Sequence, residues 1–409
     1  MWHLYGNVYD LQKFVESGEH PGGNDILEKT RNQTDVTALF ESYHAFSNKI
    51  QIRKVLEKYK VGEDENAPKQ YDFQAYEELT ELVKDMYPTR ESIKCTHTQS
   101  WFLIKNLWIF LGLFYVTMIT NYHWIIRSVC AFAAGGMYIS LGFAGMHDAS
   151  HYGLSVSPII NNIIDHAWNT CALWNRHIWF YHHVYNHHCF TKETNKDPDI
   201  YHFRPFAGKI ENDKGVLKYF SRYQYWVLPF VVVIFPGMCM GQSLSYVIAS
   251  TKHKLWKVEL PNDVDLYSMY DVYFMVWMLI LFYKAGWVSS VYMISLNFWY
   301  FINIFGDHDT FESSYTNHYT GNDWLKLQIC NSGNFMNDNA LWTRYFGGIN
   351  YQIEHHLYPN MCNTHYPKIA LIVRMYCKKH NIPYCHHETL WDTWLSFMKT
   401  IDKCSTKQE

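Results

Sequence analysis

The sequence predicts a small α+β domain followed by an all-α membrane domain, in which four transmembrane helices carry a cytosolic helical cap. Three observations predict this. Residues 1–62 are polar and mixed, with only short apolar runs; from Trp101 onward five apolar blocks approach the length of a membrane span; and histidines gather in clusters just outside those blocks.

Composition fits two unequal domains. The chain has 409 residues, enough for one small and one large domain. A net charge of −3, from 35 basic and 38 acidic residues, argues against a nucleic-acid partner. Apolar residues make up 48% and aromatics 18%, high for a soluble enzyme. The mean hydropathy of −0.25 averages a polar first third with strongly apolar blocks, and so hides them. Ten cysteines include no C-x-x-C pair, and no basic-then-apolar leader is visible. Reduced thiols facing the cytosol are expected.

After residue 62 the charged stretch GEDENAPKQ opens a linker over 63–100. Within it Phe73, Tyr76, Leu79, Val83 and Met86 recur at helical spacing, which predicts an amphipathic helix lying on the next domain. The apolar blocks cover about 103–122, 124–146, 223–249, 267–284 and 287–305, each close to the ~20 residues a membrane helix needs. A weaker block, 156–174, carries Asn161, Asn162, Asp165, His166 and Asn169 and reads as interfacial.

Block 223–249 is broken by Pro229, Pro236 and Gly237. Lys214, Lys218 and Arg222 precede it, and Lys252, Lys254 and Lys257 follow it. Basic flanks on both sides suit two cytosolic ends, so this block is expected to be re-entrant or interfacial. Four spans remain, in two hairpins turning near Tyr122 and Lys284. The N-terminal domain and all later histidine clusters then share the cytosolic side.

In the N-terminal domain His20-Pro21-Gly22-Gly23 closes an apolar stretch, and His44 follows in FESYHAFS. Two histidines flanking helical segments of a small domain suit axial ligation of a haem iron, with glycines permitting close approach of the turn. Leu27, Leu39, Phe40 and Leu56 are candidates for the pocket wall. Asn7-Val8-Tyr9-Asp10, HPGG and Tyr43-His44 resemble cytochrome b5, which usually carries a further strand and helix ahead of the segment that here begins at Trp2. The resemblance implies bis-histidine ligation of haem b by His20 and His44 and one-electron transfer.

Three further groups stand out: HDASH (His147, His151), HVYNHH (His183, His187, His188) and QIEHH (Gln352, His355, His356). In an α-helix positions i and i+4 share a face, so His147 and His151 can address one ion, as can His183 and His187. The adjacent His188 can then reach a neighbouring ion. Zinc prefers about four tetrahedral ligands, so seven imidazoles suggest two metals, and imidazole suits iron.

At these residues the chain resembles the front-end subgroup of membrane fatty-acid desaturases, which join cytochrome b5 to three histidine boxes. Gln352 in place of the first histidine of the third box is that subgroup's mark. FGGINYQIEHHLYPNM, Asp323-Trp324-Leu325-Lys326-Leu327-Gln328 and HYPKIALIVRMYCKKHNIPY also look like it. The resemblance covers nearly the whole chain. It implies that His147, His151, His183, His187, His188, His355 and His356 ligate two iron ions, with His308, in FGDHDTFE after the last span, as a further ligand. Gln352 is a candidate oxygen ligand or water-orienting group. Asp148 and Glu354 are candidates for orienting imidazoles; His182 and His202 are expected in an outer layer or at the surface.

The implied organisation is a cytochrome b5-like haem domain at 1–62, a linker and amphipathic helix at 63–100, a membrane desaturase domain at 101–385 and a tail at 386–409. The implied reaction is oxygen-dependent and inserts a cis double bond on the carboxyl side of an existing one. Unactivated C–H bonds offer no acidic proton and no carbonyl to polarise, so a strong oxidant made from molecular oxygen at iron is required. No catalytic side chain is expected beyond the metal ligands. Phe143, Phe298, Trp299 and Phe305 are candidates for lining an apolar substrate tunnel.

HVYNHH followed by Asp197-Pro198-Asp199 looks more like Δ5-type enzymes than Δ6-type, with Δ4 close by. The expected partners are a fatty acyl chain carried as a coenzyme A thioester or phospholipid, oxygen, an NADH-cytochrome b5 reductase and the bilayer of the endoplasmic reticulum. A sphingoid-base Δ8 desaturase, a di-iron acyl hydroxylase and a membrane-tethered haem carrier are the alternatives.

Overall fold

Trp2 and Leu4 alternate inward on β1 (Trp2–Leu4), as a half-buried strand dictates. β1 pairs antiparallel with β2 (Asn7–Tyr9), Trp2 opposite Tyr9, and β3 (Lys60–Glu63) takes the other edge of β2. Between β2 and β3 run α1 (Gln12–Ser17), α2 (Asn24–Thr30), α3 (Thr37–Tyr43) and α4 (Lys49–Glu57). This computed structural model describes residues 1–68, 70–167, 175–201, 223–228, 246–261 and 269–406. Most of the block 223–249, with its prolines and Gly237, lies outside the described residues, as do Asn169, His202, Lys214, Lys218 and Arg222.

α5 (Gln74–Lys84) is the expected amphipathic helix, with Tyr76, Leu79 and Val83 buried. Met86 was expected on the same face but is exposed, because the helix stops at Lys84 and its period stops there too. α6 (His97–Met118) begins ahead of the apolar block, since Thr96 caps it by accepting from Gln99 N. α7 (Trp124–Leu141) continues through a π-helical stretch, Gly142–His147, to Ser150. Among the described residues, α6 and this prolonged α7 are the two helices long and apolar enough to cross a membrane.

α8 (Pro158–Ala167) turns Asn161 and Asp165 inward and leaves Ile159, Ile160 and Ile163 exposed. An apolar outer face on a helix with polar inner residues suits the surface of a bilayer. α9 (Arg176–Trp179) leads into a second π-helical stretch, Phe180–His187, and a 3-10 turn spans Pro198–Tyr201. A short hairpin, β4 (Lys254–Leu255) with β5 (Val258–Glu259), precedes α10 (Met269–Ala285) and α11 (Val288–Ile304). These last two helices have 17 residues each. At 1.5 Å per residue that is about 26 Å, against a hydrocarbon core of about 30 Å.

α7 packs along both α6 and α11, and α7 meets α11 at Gly135. A Cβ there would stand 2.6 Å from Ser295 Cβ, so only glycine permits this approach. After α11 come α12 (Trp324–Cys330), α13 (Ala340–Tyr345), α14 (Gln352–Leu357), α15 (Tyr366–His380) and α16 (Leu390–Thr406). A parallel pair, β6 (Asn334–Phe335) with β7 (His386–His387), ties the segment before α13 to the segment before α16.

The N-terminal domain does not hang free. Its Trp2, Leu39, Phe46 and Leu56 share one buried cluster with Tyr76, Val184, Tyr358 and Tyr366 of the helical domain. A separate apolar cluster fills the space between α6, α7 and α11.

Candidate metal centre

Two elements end at the same place. The prolonged α7 delivers His147 at the close of its π-helical stretch and His151 just after it, while α11 is followed by His308. α14 brings Gln352, His355 and His356, and the π-helical stretch after α9 brings His183 and His187, with His188 next. All nine side chains are buried and gather in one cluster. Every residue expected there from the sequence, His308 and Gln352 included, is therefore in it.

The cluster divides in two. Ligand atoms of His147, His151, His183 and His355 lie within 4.8 Å of one another, as do those of His187, His308 and His356. In the first group His147 Nε2 is 2.9 Å from His183 Nε2; in the second His187 Nε2 is 3.1 Å from His308 Nε2. His188 stands between them, its Nε2 3.2 Å from His183 Nε2 and its ring stacked on His356 at 4.2 Å.

His183 and His187, which an α-helical spacing lets address one ion, do lie within reach of a common ion, their ligand atoms and one of Asp199 being within 4.8 Å of one another, so the two groups adjoin. The segment is π-helical, with bonds from i to i+5, and this brings His188 Nε2 to 3.2 Å from His183 Nε2 as well.

Most of the rings are anchored at Nδ1, which leaves Nε2 turned into the cluster. His151 Nδ1 is 2.9 Å from Tyr43 Oη, and His355 Nδ1 is 3.2 Å from Tyr366 Oη. His356 Nδ1 bonds Gln328 Oε1 at 2.8 Å, and His308 Nδ1 donates to Asn331 O at 2.8 Å. His187 Nδ1 donates to Asp197 Oδ1 at 3.0 Å, with Asp199 Oδ2 at 3.3 Å. Such bonds fix tautomer and ring direction, as they do for imidazoles that ligate metals.

The inner atoms lack partners of their own. His151 Nε2, His355 Nε2, His356 Nε2 and Gln352 Oε1 are buried without a hydrogen bond. Orphaned lone pairs inside a protein are costly, and several converging ones fit a cation. Electrostatics agree: burial first, and then the neighbouring imidazoles, hold His183, His188, His355 and His356 well below the ordinary histidine range, so they remain neutral donors. His187 is the exception. Burial opposes its protonation, but Asp199 and Asp197 outweigh burial and raise it to about 9.

A second, smaller site lies in the N-terminal domain. His20 Nδ1 donates to Gly23 O and His44 Nδ1 to Phe40 O, each at 2.8 Å. Their ring centroids are 6.3 Å apart. Two imidazoles on opposite sides of one ion, each with a bond of about 2 Å and about 1 Å more to the ring centre, span about 6 Å. The spacing therefore fits one iron held between them. Burial lowers the pKa of His44 to about 4, which keeps that ring neutral. Of the candidates for a pocket wall, Leu39 and Leu56 are buried, Leu27 is partly buried, and Phe40 lies 4.4 Å from the His44 ring.

The family model for fatty acid desaturases matches residues 122–388, and that for the cytochrome b5-like haem/steroid-binding domain matches residues 1–65. The chain belongs to the fatty acid desaturase family. It is an oxidoreductase, a front-end desaturase with a cytochrome b5 domain at its N-terminus; the first domain implies haem and the family implies iron. The desaturase is 25% identical to an acyl-lipid (8-3)-desaturase of Mortierella alpina, over 97% of this chain and 92% of that protein. It is 25% identical to Delta(5) fatty acid desaturase A of Dictyostelium discoideum, over 93% of this chain and 85% of that protein. It is 22% identical to Delta(8)-fatty-acid desaturase 2 of Arabidopsis thaliana, over 93% of this chain and 84% of that protein.

Several outer residues of the desaturase differ from expectation. Asp148 and Glu354 do not orient imidazoles. Asp148 accepts from Asn363 N and Nδ2, and Glu354 accepts from Asn334 Nδ2 and Tyr384 Oη, because each points away from the ring beside it. The orienting groups are instead Tyr43, Asp197, Gln328, Asn331 and Tyr366. Tyr43, Gln328 and Tyr366 fall in motifs that carry the family resemblances, and Asp197 in the stretch that looks Δ5-type, so these residues stand out in the sequence but their role does not. His182 is buried, with Nε2 2.5 Å from Asp199 Oδ1 and Nδ1 2.8 Å from Tyr246 Oη. It therefore braces one of the two carboxylates behind His187. Of the tunnel candidates, Phe143 lies 6.0 Å from the His147 ring and stacks on Tyr300, whereas Phe305 is buried in a cluster with Phe301 and Phe397.

Gly347 sets how closely the turn before α14 packs on the end of α7. Its φ is +62°, and a Cβ there would stand 2.3 Å from the backbone at Phe143 and Ala144. The turn before α14 can thus lie directly against the end of α7 only because residue 347 is glycine.

Proposed function

We propose that the desaturase holds two iron ions in the buried histidine cluster and a haem b between His20 and His44. In this reading His147, His151, His183 and His355 face one iron, His187, His308 and His356 face the other, and His188 stands at their junction. The observation that carries it is the division of one buried cluster into two neighbouring groups of imidazoles, with most rings anchored at Nδ1. Gln352, with Nε2 2.9 Å from His308 Nε2 and Oε1 without a partner, is assigned to an oxygen ligand or to orienting bound water.

When bound, the irons supply the oxidation of two neighbouring C–H bonds at the expense of oxygen. The chain's own part is position and exclusion of water. The carboxylates, amide oxygens and phenols behind His151, His187, His308, His355 and His356 hold those rings' Nε2 atoms in place, and the buried cluster keeps the reacting carbon pair from solvent.

The product assigned is a cis double bond on the carboxyl side of an existing one in a long polyunsaturated acyl chain, carried as a coenzyme A thioester or phospholipid. A Δ5 position is favoured; the name of the Dictyostelium relative supports it, and that of the Arabidopsis relative keeps Δ8 in view. α6, α7, α10 and α11 are assigned as four spans in two hairpins in the endoplasmic reticulum. The haem domain, about 1–62, and the cluster share the cytosolic face, where a reductase using NADH can reach them. The linker 63–100, the membrane domain 101–385 and the tail 386–409 complete the assignment.

Expression in yeast fed a panel of polyunsaturated acids tests this, with double bonds located in the extracted lipids. A new bond at carbon 5 is expected. A hydroxylated product, or no new product from protein loaded with haem and iron, would overturn the reading.

A further inference from the structure

Among the described residues, the shortest covalent and hydrogen-bonded connection between the His20–His44 pair and the larger cluster runs through Tyr43. It immediately precedes His44 in the chain, and its hydroxyl stands 2.9 Å from His151 Nδ1. On the far side of that imidazole, Nε2 is buried, unpartnered and grouped with His147, His183 and His355. One residue therefore touches the backbone of one site and a side chain of the other.

Tyr43 is fixed at both ends. Its carbonyl accepts from Asn360 Nδ2 at 2.8 Å, and Asn360 lies in the loop that follows His355 and His356. Phe46 packs on Tyr358 of the same loop, ring centroids 5.4 Å apart. Among the described residues, other bonds between the two domains end elsewhere. Arg176 and Tyr152 Oη each donate to Asp25 Oδ2 at 3.1 Å, Tyr185 Oη donates to Asp35 O at 2.9 Å, and Arg90 donates to Pro21 O at 3.3 Å. None of these joins a residue adjoining His44 to a residue of the cluster.

Electrons tunnel farther along bonds and hydrogen bonds than across van der Waals gaps, because their wavefunctions decay more slowly there. We infer that Tyr43 is the electron-transfer bridge from the haem domain to the histidine cluster, with its hydroxyl as the working group. This rests on the proposed assignment of haem to His20 and His44 and of iron to His151. Tyr43 keeps its proton throughout and no bond is made or broken: one electron passes, a ferrous haem iron is oxidised, and a ferric iron of the cluster is reduced. Tyr43 thus acts on electron delivery and is not a ligand.

The test uses the full chain loaded with haem and ferric iron, with Tyr43→Phe and Tyr43→Leu as variants. Haem absorption and iron per chain are measured first. Under anaerobic conditions and without acyl substrate, a photoexcited ruthenium complex then delivers one electron to the haem. Its reoxidation is followed by absorbance, per haem present, on molecules holding both centres. The unmodified protein should reoxidise in a first-order phase independent of protein concentration. Tyr43→Phe, which keeps the ring and removes the hydroxyl, should slow that phase by about an order of magnitude with an unchanged haem spectrum; iron lost because His151 has lost its support does not enter, since only molecules holding both centres are counted. Tyr43→Leu should be at least as slow. A Tyr43→Phe rate equal to that of the unmodified protein overturns the bridge, and a slow Tyr43→Leu beside it would reassign Tyr43 to docking. If the unmodified, fully loaded protein shows no first-order phase, the underlying haem and iron assignment fails instead.

Discussion

Asp197 Oδ1 lies 3.0 Å from His187 Nδ1, and its other oxygen accepts from Lys192 N at 2.7 Å. The backbone thus fixes the carboxylate that fixes the ring. Losing such a support behind a metal-ligating histidine costs roughly 10–100-fold in metal affinity. Asp197→Ala is accordingly expected to release iron from the full-length protein at a correspondingly lower chelator concentration, with the haem spectrum unchanged. Iron retention equal to the unmodified protein would remove Asp197 from this role.

His308 tests the division of the cluster. It is grouped with His187 and His356 and lies apart from the four histidines around His147. His308→Ala should therefore lower bound iron toward half and abolish desaturation in fed yeast, while haem absorption stays. Full iron content with normal product would show that His308 is a bystander.

The histidines themselves are legible in the sequence, because three dense boxes outside apolar blocks have little use except metal binding. Their pairing is legible only in part. An i, i+4 rule joins His183 to His187, which do approach each other, but the π-helical path of Phe180–His187, which brings His188 to His183 as well, is not visible in the sequence. The groups behind the rings are also hidden from a linear reading. Gln328 and Tyr366 reach His356 and His355 from separate helices, and Asn331 reaches His308 by a backbone carbonyl, which any residue type supplies. By contrast, Glu354 and Asp148 sit next to cluster histidines in the chain but face other partners, since neighbouring helical residues project in different directions.

His20 and His44 should behave separately from the cluster. His20→Ala removes one of two imidazoles held 6.3 Å apart at their centres. It should eliminate the haem absorption band and stop electron delivery while leaving cluster iron in place. Activity restored by adding a separate cytochrome b5 would show that the cluster had survived. An unchanged haem band would overturn the ligand assignment.

Glu41 links the haem domain's stability to pH. Its side chain is buried, and it accepts from Arg53 Nη2 at 2.8 Å and from Lys49 and Tyr5. Burial alone would raise its pKa, yet Lys49, Tyr5 and Arg53 together outweigh burial and hold it below the usual carboxylate range. The stabilisation is therefore complete above the unfolded value of about 4.3 and is lost as pH falls through the lower folded value. Removing one member of a buried pair costs about 3–5 kcal/mol; Arg53 is half exposed, so Glu41→Gln should cost about 3 kcal/mol at pH 7. Unfolding of the full chain, followed by the haem band, should show this gap between the two proteins at pH 7 and a progressive narrowing below about pH 4. Comparing the two at each pH cancels haem release, which is common to both. A gap that stays constant into acid would mean that Glu41 is not ionised in the folded protein.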